Sequence, residues 1–373
     1  MQRPLIFSAS IGHGHQRAAE ALKVELENKG YQPEVIDTFY SLSPMLHKIM
    51  LNSYLRLLKV TPKLWRSIYY RAEDVPMYLW LDRFGSLFVE RLYKLVNHFS
   101  VPFIISTHPF VTAFLTSLKR KKEMDIPLYT VITDFVLHPA YVRDEIDGYF
   151  TADPNVKKFT SKYNYQSNLF FSTGIPVPDC SVAEQSKWKV RYNLQLSHEK
   201  KIVLIAGGGI GLTNYVEVIR SMDKLKKQVL LLCMTGHNDR AKEKIETMSS
   251  KHEVVTIPFT DKFLDYLRAS DVVVSKSGGL TMAEALLCET PILVYQPVPG
   301  HEEHNADFLE QYGAALKAEE SEQIPLLIKK MLYSKRINEA LKSSAKRLKK
   351  PYAATKIVNE IMDQMDKTHQ AIR

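Results

Sequence analysis

Three cysteines in 373 residues, Cys180, Cys233 and Cys288, are too few, too scattered and odd in number to frame a disulfide core. None forms the Cys-x-x-Cys spacing of a zinc site, so they read as reduced packing residues. No window holds the roughly 18 uninterrupted apolar residues that a spanning helix needs. The opening MQRPLIFSAS is too short and polar for a secretory leader, so the chain is expected to stay cytoplasmic. Low-complexity tracts and internal sequence repeats are missing as well. So are helix-turn-helix, zinc-finger and RNP-like motifs, which leaves nucleic acid a weak candidate partner. One absence is local: residues 38–72 contain no Asp or Glu.

Hydrophobic residues make up 45% and charged residues 24% of the chain, the balance of a folded globular protein. The length exceeds one ordinary core and predicts two domains. A formal charge of +9 points to an anionic partner: nucleic acid, a membrane or a phosphorylated ligand.

Short apolar runs alternate with helical patterns. PLIFSAS, PEVIDTF, VPFIIST, IPLYTVITD, GYFTA and NLFFSTG come first; KIVLIAGGG, QVLLLCMTG, EVVTIPF, DVVVSKSGG and TPILVYQP follow. This alternation predicts parallel sheets covered by helices, in two doubly wound α/β domains. The proline-flanked stretch 174–179 is the expected linker.

Residues 38–72 interrupt that grammar. Lys48, Arg56, Lys59, Lys63, Arg66 and Arg71 alternate with Phe39, Tyr40, Met45, Met50, Trp65 and Tyr69. A basic, aromatic-rich amphipathic segment reads as a surface lying on an anionic bilayer. At about 1 kcal/mol per cation, six cations would supply about 6 kcal/mol, enough for reversible docking. The alternative is that the apolar residues pack into the first domain and the cations solvate its outside. The run 119–122 reads as a solvated loop.

The richest stretch is residues 271–315, DVVVSKSGGLTMAEALLCETPILVYQPVPGHEEHNADFLEQYGAA. A strand ends at Ser275, two glycines follow, and a helix is expected to begin at Thr281. Free N–H groups and the positive dipole end at such a start suit a phosphate. Gly278 and Gly279 would let a pyrophosphate approach the backbone. Glu284, a turn inside, could accept two ribose hydroxyls or be a plain surface glutamate.

The pattern S-x-S-G-G-x-T-x-x-E followed by P-V-P-G-x-E-x-x-N resembles the donor-site signature of the monogalactosyldiacylglycerol synthase and processive diacylglycerol glucosyltransferase family. It is similar, more distantly, to that of the N-acetylglucosaminyltransferase of peptidoglycan-precursor synthesis. The opening G-x-G-H loop, TDFVLH at 133–138 and the STGIPV linker fit the same family, over nearly the whole chain. The resemblance implies a GT-B architecture of two Rossmann-like domains facing a cleft. Residues 1–174 would bind the acceptor and associate with the membrane, through Lys48, Arg56, Lys59, Lys63, Trp65 and Arg66. Residues 175–373 would bind a UDP-sugar, with the last helix, 351–373, returning to the first domain. Lys276, Ser277, Gly278, Gly279 and Thr281 would face the diphosphate, Glu284 the ribose, Phe259 and Thr260 the uracil through backbone contacts, and Glu302 and Asn305 the sugar hydroxyls. Gly208, Gly236 and Asn238 would line the same pocket. His301, Glu303 and His304 stand at variable positions, so glucose and galactose stay open as donors. Tyr141 stands where relatives carry Trp.

The transfer such a family performs needs a base for the acceptor hydroxyl and support for the departing diphosphate. His15 matches the G-x-G-H histidine and is largely neutral at pH 7 with an ordinary pKa near 6.5. Asp134 and His138 are competing bases; His15 could also simply cap the first helix. Gly12, His13, Gly14 and His108 would surround the acceptor, with Gly12 and Gly14 giving the loop positive φ. No DxD pair is placed to hold a diphosphate through a metal, so no cofactor is expected to be required, a supporting magnesium ion staying open. The expected function is inverting transfer of a hexose from a UDP-sugar to a membrane lipid, diacylglycerol in the simplest case. Two alternatives share the fold: a UDP-N-acetylglucosamine 2-epimerase, which would not need the segment 38–72, and a nucleotide-sugar sensor without turnover.

Overall fold

The computed structural model describes residues 2–10, 13–74, 78–98, 100–178 and 180–372. Two compact units emerge. One comprises Met1–Pro178, Pro299–His301 and Tyr352–Arg373, the other Asp179–Val298 and Glu302–Pro351.

The first unit holds strands β1 (Leu5–Ser8), β2 (Glu34–Asp37), β3 (Ile104–Ser106), β4 (Leu128–Val131), β5 (Gly148–Thr151) and β6 (Phe170–Ser172). They form one parallel sheet in the order β2-β1-β3-β4-β5-β6. Every residue of β1, β3, β4 and β5 is buried, which is why these runs read as unbroken apolar stretches. Side chains alternate between faces. Leu5 and Phe7 join a core with Phe39, Leu92, Phe114 and Tyr149. Ile6 joins the opposite one with Leu22, Leu26, Phe103 and Phe150, which the helix Ala353–Ile372 completes with Ile357, Val358 and Ile361.

Between β2 and β3, residues 38–72 form three successive helices, Thr38–Leu42, Pro44–Val60 and Pro62–Asp74. Asp37 caps the first through the Tyr40 amide (3.2 Å) and Ser43 the second through the Leu46 amide (3.3 Å), with Pro44 at the first helical position. Phe39 and Leu42 are buried, and Leu46 and Met50 pack on the core. Met45, Ile49 and Leu64 instead stand 72, 49 and 53% exposed. One face thus packs inward while the other presents apolar and cationic side chains to solvent.

The run 119–122 is a correction to the sequence reading. It ends the helix Pro109–Lys121, where Lys119 pairs with Asp147 (2.7 Å), Arg120 with Glu145 (2.5 Å) and Lys122 with Glu90 (2.7 Å). Cations suit the negative end of a helix, and the acids that attract them lie far off in sequence.

The second unit holds β7 (Ile202–Ala206), β8 (Leu230–Gly236), β9 (Glu253–Pro258), β10 (Val272–Ser275), β11 (Ile292–Tyr295) and β12 (Ala315–Ala318), parallel in the order β12-β11-β10-β7-β8-β9. Strand β12, ALKA, is the one that periodicity did not reveal: it is a short edge strand without β-branched residues. In each sheet the strand order reverses beside its first strand, between β1 and β3 and between β7 and β10. Ligands of doubly wound sheets bind beyond the strand ends at such points.

Candidate active-site residues

In the first unit the carboxyl ends of β1, β3 and β4 carry His15, His108 and Asp134. The helix His13–Asn28 already includes Gly14. The expected positive φ at Gly14 is therefore absent, because the helix starts earlier than a glycine-rich loop would allow. Gly12 lies outside the described residues. His13 is half-buried.

His15 Nδ1 lies 2.6 Å from the Thr107 carbonyl oxygen and 2.9 Å from Thr133 Oγ1. A carbonyl only accepts, so Nδ1 carries the proton and Nε2 keeps its lone pair. Thr107 Oγ1 in turn donates to the His15 carbonyl (3.2 Å). Burial pulls the His15 pKa below its ordinary value, against the opposing pull of the Asp134 carboxylate and the Thr107 carbonyl. The ring is thus neutral at pH 7 with a basic nitrogen left over.

His108 and His138 have the opposite tautomer. His108 Nδ1 accepts the Phe110 N–H (3.2 Å) and caps the helix Pro109–Lys121; His138 Nδ1 accepts the Ala140 N–H (3.0 Å). In the neutral ring each then bears its proton on Nε2 and is a donor there. The His108 ring meets that of His15 edge-on at 4.5 Å, and burial, followed by His15, holds its pKa well below the ordinary range. Tyr141 is buried and its hydroxyl is pushed far up in pKa by that burial and then by Asp134. Thr107 and Thr133 were not read from sequence as site residues, although each sits beside a named one in STHP and TDFVLH.

Of the basic segment, Lys48, Arg56, Lys63 and Arg66 are exposed and Trp65 is half-buried. The Lys59 side chain lies outside the described residues. Among the described residues no helix is long and apolar enough to cross a membrane.

In the second unit β10 ends at Ser275, whose Oγ donates to the Ala206 carbonyl of β7 (2.8 Å). The helix Gly279–Leu287 then begins two residues before the expected Thr281, with no side chain capping its start. Gly279, Leu280 and Thr281 thereby form a first turn whose N–H groups can meet an anion. Glu284 is 2% exposed in the second turn.

Lys276 and Glu302 fix the loop before that helix. Glu302, 2% exposed, pairs through Oε1 with Lys276 Nζ and accepts the Val298 N–H through Oε2 (2.8 Å). Ser277 Oγ donates to the Glu302 carbonyl (2.5 Å), and fully buried Asn305 donates to the Ser277 carbonyl (3.1 Å). Two residues read from sequence as sugar-facing are thus tied to the loop that precedes this helix. A Cβ on Gly278 would stand 3.4 Å from Glu302 Oε1.

The neighbouring strand ends close around it. A Cβ on Gly208, which has φ +70°, would sit 3.5 Å from Lys276 Cε. Gly236 and Gly211 (φ +57° and +61°) let the β7 and β8 loops touch: a Cβ would come within 2.3 Å of the Gly209 carbonyl oxygen or 2.1 Å of that of Thr235. Asn238 Nδ2 donates to Gly211 O (3.0 Å), and its Oδ1 caps the next helix through the Ala241 N–H (3.1 Å). After β9, the Phe259 N–H is bonded to Gly236 O (3.0 Å), so its carbonyl and the backbone of Thr260 are what a base could use. Phe259, 41% exposed, stacks on His237 at 4.4 Å, a flat pair that sequence reading missed. Gly208, Gly236, Asn238, Phe259, Thr260 and residues 276–281 thus follow four adjacent strands. Among the described residues no three His, Cys, Asp or Glu side chains cluster as metal ligands.

Residues 15–177 match the profile of "Monogalactosyldiacylglycerol (MGDG) synthase" and residues 202–365 that of "Glycosyltransferase family 28 C-terminal domain". A processive diacylglycerol β-glucosyltransferase of Bacillus pumilus is 27% identical over 97% of this chain and 95% of its own. The crystal structure of Acinetobacter baumannii MurG superposes with a TM-score of 0.62 at 14% identity, covering 97% of this chain and 100% of its own. A Listeria monocytogenes protein described as a UDP-N-acetylglucosamine 2-epimerase gives 0.62 at 14% identity, over 98% and 97%. The structural likenesses establish the fold; the profiles and the full-length relative carry the assignment. The chain is a GT-B glycosyltransferase, similar over nearly its whole length to processive diacylglycerol glucosyltransferases and carrying regions that match the monogalactosyldiacylglycerol synthase and family 28 C-terminal profiles.

Proposed function

We propose that this enzyme transfers a hexose from a UDP-sugar to the free hydroxyl of diacylglycerol with inversion, giving a β-glycosyl-diacylglycerol. The observation that carries the reading is the tautomer of His15. With Nδ1–H held by Thr107, Nε2 is a fixed acceptor for the hydroxyl proton. The acceptor oxygen then bonds to the anomeric carbon, the bond from that carbon to the phosphate oxygen breaks, and UDP leaves with the electron pair. The first-turn amides of Gly279–Leu287 and the Lys276 ammonium take up the charge on the departing diphosphate. Glu284 holds the ribose, the Phe259 carbonyl and Thr260 backbone the uracil, and Glu302 and Asn305 the hexose hydroxyls. Asp134 supports the imidazolium that forms, and His13 and His108 line the acceptor side.

Because the acceptor is a lipid, the enzyme works at a membrane face. The exposed Met45, Ile49 and Leu64 with Lys48, Arg56, Lys63 and Arg66 are the first unit's contact with it. The helix amides and Lys276 supply charge stabilisation of their own, so no metal is required for the departing diphosphate, and a supporting magnesium ion stays open.

The test is incubation of purified protein with UDP-glucose or UDP-galactose and diacylglycerol in anionic liposomes, following UDP release and the mass of the lipid product. A glycosyl-diacylglycerol is the expected product. UDP binding with no lipid product in either case would overturn the acceptor assignment.

A further inference from the structure

The positive charge is not where residues 38–72 alone would put it. Between Lys329 and Lys350 the chain has nine Lys or Arg and one acid, Glu339, a net +8 against +9 for the whole protein. These residues lie in the second unit, on two helices that pack together, Ile324–Tyr333 and Lys335–Leu348, joined through Ser334, with Lys349 and Lys350 just past the end of the second. The inward stripe is apolar: Ile328, Met331, Leu332, Leu341 and Ala345 are buried. The outward one is cationic, with Lys329, Lys330, Arg336, Lys346 and Lys350 exposed. Among the described residues none of these five has a carboxylate partner within salt-bridge distance, and the single acid is taken by Lys335 (3.8 Å).

Two large apolar side chains stand on this face. Leu326 is 56% and Tyr333 38% exposed, at helical spacing with Lys329 and Lys330, so the four share one side of the first helix. Lys227 lies over the Tyr333 ring at 4.6 Å and adds a further cation. A phosphate-binding face for nucleic acid gains nothing from a projecting leucine, whereas the headgroup layer accommodates Leu and Tyr among lysines. The same combination, exposed Met45, Ile49 and Leu64 among exposed cations, recurs in the first unit.

We infer that the solvent-facing side of these two helices is a second membrane-contact surface, specific for a bilayer rich in anionic lipid and carried by the donor-binding unit. The inference rests on the reading that the acceptor is a membrane lipid. Its consequence is that the donor-binding unit has its own attachment to the interface, through charge that falls off with added salt.

The test uses the full chain with Lys329→Gln, Lys330→Gln, Lys346→Gln and Lys350→Gln combined. The measurement is flotation with phosphatidylcholine vesicles with and without phosphatidylglycerol. Removing four cations, at about 1 kcal/mol each, should weaken binding to the anionic vesicles by up to about 1,000-fold. Binding to neutral vesicles, UDP affinity and transfer to diacylglycerol in neutral detergent micelles should stay unchanged. Unaltered binding to anionic vesicles would overturn the proposal, as would tighter binding to a single-stranded RNA homopolymer than to vesicles. Failure of the detergent assay in the parent protein would instead refute the acceptor assignment, so the two failures are distinguishable.

Discussion

At His15 the neighbouring carbonyl decides the chemistry. Thr107 leaves Nδ1 no choice but to donate, which makes Nε2 the acceptor, while the capping bonds of His108 and His138 make donors of theirs. His15→Gln should therefore lower kcat by about a hundred- to ten-thousand-fold with UDP affinity unchanged. His138→Gln should be far milder, and the reverse ranking in a turnover assay would move the base elsewhere. Burial depresses the pKa of both His15 and His108. A neutral buried histidine binds fewer protons than its unfolded counterpart just below the ordinary pKa, so its stability contribution is complete above about 6.5 and is lost as pH falls through the folded value. Melting temperature should drop on acidification below that point, less so in His108→Asn. If His15 is the base, burial keeps it neutral to a pH below its ordinary pKa, and the acid limb of kcat/KM should be displaced in the same direction. Glu284→Ala should weaken UDP binding by about 10- to 100-fold if its carboxylate holds the ribose, and calorimetric titration with UDP reads this directly.

Elements matter where loops must touch. The β7 and β8 loops meet through glycines with positive φ, and a Cβ at Gly211 or Gly236 would collide with a carbonyl oxygen. Alanine at either position should cost at least about 1–3 kcal/mol and lower the melting temperature of the second unit. UDP affinity should fall as well, since Asn238 is bonded to Gly211. The helix start at Gly279 is set just as locally: Lys276, Ser277 and Asn305 are tied to Glu302 or to one another before any ligand arrives. A loop held in advance needs less reordering when a diphosphate binds.

For the molecule as a whole, the order of the chain is not the order of the units. The last helix, Ala353–Ile372, completes the core of the first unit, with Ile357, Val358 and Ile361 fully buried beside Ile6, Leu22 and Phe150. Ile361→Ala should cost about 2–5 kcal/mol and lower the melting of the first unit selectively. A thermal scan that shifted only the UDP-stabilised transition would contradict this.

The sequence by itself determined the fold class, because the central parallel strands are buried on both faces and so are unbroken apolar runs, while the more exposed β2, β6 and β9 still show as short apolar stretches between helical patterns. It also determined the residue types of the site, since histidine, glycine pairs and a helix-borne glutamate in SKSGGLTMAEA are local patterns. Only the tertiary structure decided the tautomers, because Thr107 and Thr133 reach His15 from strands about a hundred residues away. It alone decided that Glu302 and Asn305 brace the loop before the helix Gly279–Leu287 and that Lys119, Arg120 and Lys122 are paired with Asp147, Glu145 and Glu90. Which cations face solvent between Lys329 and Lys350 was settled by packing too. Hydrogen bonds and ion pairs depend on which strand ends the sheet order brings side by side, and that order is not written in any short stretch of the chain.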